Sequence, residues 1–245
     1  MTDQRLDPDW LRQQIVGVDS TFETPFGERL MVYCDYTASG RCLRFVESYI
    51  QGLQRVYANT HTEDDITGRS MTQLLHEAET AIKRSVNAGD SGRIIACGTG
   101  ATGAIDKLQQ IVGVALAPAT RQNIYDVLGR PGSPLSQGAF DELLADAQPV
   151  VFVGPYEHHS NEISWRESLA TVVETRLDAS GHVDLKHLEE LLTDSRYEGR
   201  LRIGSFSAAS NVTGIKTDAR SISSLLHRHG AIACFDYAAC APYVP

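Results

Sequence analysis

The sequence predicts an α/β fold, built on a mainly parallel sheet with flanking helices. Short β-rich runs alternate with amphipathic helical stretches, as in βαβ units. The chain has 245 residues, enough for one or two domains, and 42% of them are hydrophobic, which supplies a core. In such a sheet, ligand-binding groups are expected at the carboxyl ends of the strands.

The first half of the chain contains two predicted strands and three predicted helices. Apolar residues three and four apart indicate a helix over residues 43–57, and Ser70 with Gln73 fits a capping box at the start of the next helix. In chain order, the elements are strand 29–34, helix 43–57, a helix from Ser70, strand 93–97, and a helix that follows the glycine-rich segment 98–103 and ends near Leu116.

The second half continues the alternation after an interruption. Prolines 118, 131 and 134 and several glycines predict an irregular excursion or lid over residues 118–140. The elements expected after it are strands 150–153, 171–175, 202–206 and 231–235 and helices 185–192 and 219–229. We therefore expect an N-terminal segment, residues 1–30, and one large domain, residues 31–245.

Composition narrows the classes of function. The 22 Lys and Arg residues against 31 Asp and Glu residues give a net charge of −9, so the chain has no global field that attracts nucleic acid or an anionic membrane. The first residues do not resemble a secretory signal, and no apolar run approaches the roughly 20 residues of a membrane helix. The five cysteines lack CxxC spacing, so we expect reduced thiols, no metal site and a cytoplasmic protein.

The glycine-rich segment 98–106 is the first candidate for chemistry. It follows a predicted strand and opens a helix, where small residues and free N–H groups attract phosphate. Gly98, Gly100 and Gly103 also satisfy the GxGxxG pattern of a dinucleotide site, although no acidic residue ends a clear strand about 20 residues later. Phosphate binding, dinucleotide binding and simple helix–strand packing all remain open on this motif alone.

Three further motifs follow predicted strands. His158 and His159 are adjacent and do not share a helix face, so they form a poor metal pair; a structural pair in a polar turn is the simplest interpretation. The small polar run 207–214 is either an ordinary turn or a ligand-lined loop. Asp236 ends an apolar strand, and because a carboxylate there is costly without a partner, it should meet either an arginine or a protonated heterocycle.

Together these motifs resemble the class V aminotransferase family of pyridoxal-phosphate enzymes, which includes cysteine desulfurases and selenocysteine lyases. The resemblance runs from about Tyr33 to the last residue, with order and spacing in agreement. The segments that carry it are 33–39 (the YLDNAAT start), 59–61 (NxH), 100–106 (GTTEAIN), 157–161 with Trp165 (EHHANxxPW), 210–214 (SNxxG) and 236–239 (DxAQ).

The resemblance implies pyridoxal 5′-phosphate as cofactor and an amino acid as substrate. Gly100, Ala101 and Thr102 would hold the phosphate, and His158 would stack on the pyridine ring. Asn211 would contact the phenolic oxygen, and Asp236 would keep the ring nitrogen protonated. The implied fold is the large domain of fold type I over residues 31–245, in a homodimer with the site at the subunit interface; His158 and Asp236 are the catalytic candidates.

The sequence also departs from the family pattern. Ala239 stands where much of the family has Gln, and Gly103 replaces a Glu. The Schiff-base lysine of the family lies downstream of the Asp motif, and none of Lys83, Lys107, Lys186 and Lys216 has that context. None of the five cysteines matches the nucleophilic cysteine of the desulfurases, so no persulfide role transfers to them.

The leading interpretation is therefore most of the cofactor-binding domain of such an enzyme, incomplete at the C-terminus and inactive as these 245 residues alone. A non-catalytic binding or assembly protein that keeps the scaffold is the alternative. A nicotinamide-dependent dehydrogenase, suggested by GxGxxG, is the third. Decarboxylation, transamination, β-elimination and desulfuration share one electron sink, so the sequence leaves the reaction and the amino acid open.

Overall fold

The computed structural model describes residues 7–244. They divide into two compact units, one up to Ile95 and one from Ala96 onward. The predicted N-terminal segment 1–30 and large domain 31–245 stay a prediction. The division of the structure falls within the predicted strand 93–97. Residues 93–97 form no strand.

The first unit consists of three helices and a hairpin: α1 (Pro8–Gln14), β1 (Thr21–Thr24), β2 (Gly27–Leu30), α2 (Arg44–Gln54) and α3 (Ile66–Ser85). β1 and β2 pair antiparallel, so the predicted strand 29–34 is formed only in its first two residues. The capping box at Ser70 is wrong, because α3 begins four residues earlier. Asp65 caps it by accepting the backbone N–H groups of Thr67 and Gly68, both at 2.8 Å, while the Ser70 hydroxyl donates to Ile66 within the helix.

The second unit is an α/β domain. Its elements are α4 (Gly100–Val112), α5 (Pro118–Leu128), α6 (Gln137–Ala147), β3 (Val150–Val153), a 3-10 turn (His159–Asn161), α7 (Ile163–Glu167), β4 (Thr171–Glu174), α8 (Leu185–Leu192), a second 3-10 turn (Ser195–Tyr197), β5 (Arg202–Ser207), α9 (Ala219–Arg228) and β6 (Ile232–Asp236). The four strands form a parallel sheet in the order β4-β3-β5-β6. All four were predicted to within one residue at either end.

Residues 118–140 contain α5 and the start of α6 instead of an irregular excursion. Pro118 occupies the first turn of α5, where its missing N–H leaves no helical hydrogen bond unmade. The Ser136 hydroxyl accepts the N–H of Ala139 and caps α6. Proline content therefore marked the beginning of a helix here, and the other two prolines lie in the connection between α5 and α6.

The core of the second unit lies on both faces of the sheet. Val150 and Phe152 of β3 pack with α8 and α9, whereas Val151 and Val153 pack with α4 and Trp165. This alternation follows from the two-residue period of a strand, and β3 is buried along its whole length because both faces are covered. The loops after β3, β5 and β6 consequently emerge at one edge of the sheet. No helix within residues 7–244 is long and apolar enough to cross a membrane.

Candidate functional site

A cavity of about 260 Å³ lies in the second unit, between α4 and the carboxyl ends of β5 and β6. One side comes from the first two turns of α4, and the other from the end of β6 and the residues that follow it. The lining residues are Ala101, Ala104, Ile105, Leu108, Asn161, Ser205, Cys234, Phe235, Asp236, Tyr237 and Ala238. Its wall is mainly apolar, with Asn161, Ser205 and Asp236 supplying polar side chains.

The glycine-rich turn brings the start of α4 to this cavity. Gly98 and Gly100 have positive φ, +50° and +60°, which glycine adopts without strain. A Cβ atom on Gly103 would lie 2.7 Å from the Cα of Gly98, so the turn closes only because both residues lack side chains. The Thr99 side chain does not cap α4, which leaves N–H groups of its first turn available to an anion.

Asp236 lines the opposite side of the cavity, at the last position of β6. Its Oδ1 accepts the backbone N–H of Ala238 at 2.8 Å. Among the described residues it forms no ion pair, so the arginine partner that the sequence left open does not lie beside it. A half-buried carboxylate without a protein cation is the arrangement expected where a cationic ligand group completes the pair.

His158 and Asn211 occupy exposed turns at the same edge of the sheet. His158 Nδ1 accepts the N–H of Ser160 at 3.2 Å and lies 2.8 Å from its hydroxyl. Asn211 belongs to a turn in which the Ser210 hydroxyl accepts the N–H groups of two following residues. Of the predicted site residues, the cavity lining includes Ala101 and Asp236, whereas Gly100, Thr102, His158 and Asn211 lie outside it. The roles of all six stay predictions.

Several cavity residues were not identified from the sequence. Ser205 interrupts an apolar strand, which is the one signal that could have singled it out. Cys234 also faces the cavity, and burial raises the pKa of its thiol, as expected for an unreactive group. Asn161 lies in the motif 157–161, but the sequence analysis assigned it no role. It is 1% exposed and forms the centre of a hydrogen-bond network.

Comparisons with known proteins give a consistent result. Residues 138–245 match the family model described as aminotransferase class V. A probable cysteine desulfurase of Chlamydia muridarum is 36% identical over 106 residues, covering 42% of this chain and 25% of that protein. A probable cysteine desulfurase of Halalkalibacterium halodurans is 26% identical over 219 residues, covering 87% of this chain and 46% of that protein.

The structural comparison covers nearly the whole chain. The apo cysteine desulfurase of Thermococcus onnurineus NA1 aligns with a TM-score of 0.65 and 15% identity, over 96% of this chain and 48% of that one. This similarity confirms the predicted fold class. The chain spans less than half of the length of each of these three relatives. Their activity is therefore not assigned to this chain by the comparison itself.

Proposed function

We propose that this chain, whose residues 138–245 match the class V aminotransferase model, forms the cofactor-binding part of a pyridoxal-phosphate enzyme of the cysteine desulfurase type that acts on an amino acid. One observation supports the proposal above all others. The N-terminal turn of α4 and the carboxylate of Asp236 line the same cavity. A ligand with a phosphate at one end and a basic ring nitrogen at the other matches both groups.

The residues present fit this cofactor. The first N–H groups of α4, near Ala101 and Thr102, would hold the phosphate, because they lack a side-chain cap and carry the positive end of the helix dipole. Asp236 would hold the proton on the ring nitrogen, because it lines the cavity without a described cationic partner. Ile105 and Leu108 add apolar surface that excludes water from the ring.

The chemistry divides between the cofactor and this chain. When bound, pyridoxal phosphate supplies an electron-withdrawing ring that takes up the electron pair released at the substrate α-carbon. Asp236 would maintain this capacity by keeping the ring nitrogen protonated. We assign His158 to the face of the ring and Asn211 to its phenolic oxygen, on the family motifs that contain them. Family resemblance also supports a cytoplasmic homodimer with the site at the subunit interface.

The cavity lining contains no lysine among the described residues. We therefore expect these 245 residues to bind pyridoxal phosphate weakly, without a covalent bond, and to turn over no amino acid. In the whole enzyme, a lysine outside these residues would form that bond. This expectation distinguishes the cofactor-binding part from a complete active site.

Thermal unfolding with added cofactors tests the proposed function. Pyridoxal phosphate should raise the melting temperature, since a ligand at about 100 times its Kd stabilises the folded state by about 2.7 kcal/mol, whereas NAD should not. With stoichiometric pyridoxal phosphate, borohydride, which fixes lysine–pyridoxal bonds, should label none of the four lysines in preference to the others. Stabilisation by NAD alone would favour the dehydrogenase interpretation. No stabilisation by pyridoxal phosphate at millimolar concentration, or one lysine labelled in strong preference to the other three, would contradict the proposal.

A further inference from the structure

The carboxyl group of Glu157 lies in the interior of the second unit but does not line the cavity. It follows β3 and folds back toward the strand, where Oε1 accepts the backbone N–H of Gly154 at 3.2 Å. A Cβ atom on Gly154 would collide with this oxygen, so the glycine leaves space for the carboxyl group. The position is therefore built for this side chain.

The other carboxylate oxygen connects the turn after β3 to β5. Oε2 accepts the Nδ2–H of Asn161 and the hydroxyl of Ser207, both at 2.7 Å. Ser207 pairs with Asp236 in the register between β5 and β6. Burial raises the pKa of Glu157, although the hydrogen bonds from Ser207, Asn161 and Gly154 each act to lower it. The carboxylate is thus held by three donors in a poorly solvated place.

An ionised carboxylate determines which way the Asn161 amide points. Because a carboxylate only accepts hydrogen bonds, Asn161 must turn its Nδ2 toward Glu157. Its Oδ1 then accepts the Ser205 hydroxyl at 2.6 Å and the Trp165 indole N–H at 3.3 Å. The indole also donates to the Ser205 oxygen at 3.1 Å. The opposite amide orientation would set Nδ2 against the indole N–H, donor against donor.

Asn161 and Ser205 line the cavity together with Asp236, so their orientation sets its polar wall. We propose that Glu157 is a positioning residue that fixes the Asn161 amide and, through it, the Ser205 hydroxyl at the wall of the cavity and the indole N–H of Trp165, which donates to both. The orientation of this network follows from hydrogen-bond donors and acceptors alone. Its effect on pyridoxal phosphate rests on the proposed function.

The test compares Glu157→Gln with a matched control, Glu162→Gln. Glu162 lies in the same region, is paired with Arg166, and takes no part in the network. The readouts are the indole N–H resonance of Trp165, assigned with Trp10→Phe, and the affinity for pyridoxal phosphate. A glutamine at position 157 offers both a donor and an acceptor, so the group at position 157 no longer dictates the orientation of the Asn161 amide, and the Trp165 indole N–H alone still favours it.

We expect Glu157→Gln to shift or double the Trp165 indole resonance and to weaken pyridoxal phosphate binding about tenfold. Glu162→Gln should leave both unchanged. In the wild type, the resonance should titrate as Glu157 gains a proton, and Glu157→Gln should abolish this titration. The elements packed around Glu157 are the turn after β3, α4, α7, β5 and β6. Their other titratable or charged groups are Asp106, Lys107, Tyr156, His158, His159, Glu162, Arg166, Glu167, Arg202, Cys234 and Asp236; among the described residues, none is hydrogen bonded to the Glu157 carboxylate.

Ser207→Ala provides a second variant in case Glu157→Gln does not fold. Loss of one donor disfavours the ionised carboxylate, so the midpoint of the Trp165 titration should move to higher pH. A Trp165 resonance that is insensitive to both changes would overturn the orientation claim. A shifted resonance with unchanged cofactor affinity would overturn the positioning role. Failure of the wild type to bind pyridoxal phosphate would overturn the proposed function, and the Trp165 resonance would still decide the orientation claim.

Discussion

Replacement of Asp236 by Ala is expected to weaken the binding of pyridoxal phosphate by about one to two orders of magnitude. A hydrogen bond to a charged partner contributes about 1.5–3 kcal/mol, and each 1.4 kcal/mol corresponds to about tenfold in affinity. Asp236 lines the cavity and forms no ion pair among residues 7–244, so the ring nitrogen would be its cationic partner. Removal of the carboxylate should therefore change binding more than fold stability.

The affinity should be measured by titration, with an analogue whose ring nitrogen is replaced by carbon. If Asp236 pairs with that nitrogen, Asp236→Ala should cost affinity for the cofactor and little for the analogue. Asp126→Ala, on the exposed face of α5 and outside the cavity lining, serves as the matched control and should change neither affinity. Equal losses for cofactor and analogue would remove Asp236 from contact with the ring nitrogen.

Trp165→Ala should lower the free energy of unfolding of the second unit by about 3–5 kcal/mol. The side chain is 0% exposed and is the largest of the fully buried side chains among the described residues. Its removal creates a cavity between α4 and the sheet and takes a donor away from both Asn161 and Ser205. Trp165→Phe keeps most of the packing and loses only the indole donor, so we expect about 1–2 kcal/mol.

Urea unfolding monitored by circular dichroism measures both variants. Trp10→Ala is the matched control, because Trp10 is 42% exposed on α1 and its loss should change stability by about 1 kcal/mol or less. A loss below about 1 kcal/mol for Trp165→Ala would contradict the described packing. Equal losses for Trp165→Ala and Trp165→Phe would show that the indole hydrogen bonds, and not the buried volume, dominate.

The parallel sheet could be predicted because its strands are short apolar runs. β3 reads VVFV and is buried on both faces, β6 reads IACFD, and β5 reads RIGSFS, in which Ile203 and Phe206 stand among small residues. Residues 118–140 were not predictable from their prolines, because Pro118 is compatible with the first turn of a helix and only the surrounding structure decides between helix and loop. The run 93–97 resembles a strand by composition, but composition alone does not provide a pairing partner.

The site was partly predictable. Ala101 lies in the first turn of α4 and Asp236 is the last residue of β6, each within a recognisable motif. Their place at the edge of the sheet could therefore be predicted from the order of elements. Ser205 and Asn161 could not be given a role, because their importance comes from contacts between residues about 40 positions apart. The sequence likewise left two partners for Asp236 open, since only the folded chain decides whether an arginine lies beside this carboxylate.

A crystal structure of this chain with pyridoxal phosphate tests the central claim most directly. We expect phosphate oxygens within hydrogen-bonding distance of the N–H groups at Ala101 or Thr102. In the same bound molecule, we expect the ring nitrogen within hydrogen-bonding distance of an Asp236 carboxylate oxygen. A cofactor that contacts one of these groups and not the other, or that binds outside this cavity, would contradict it.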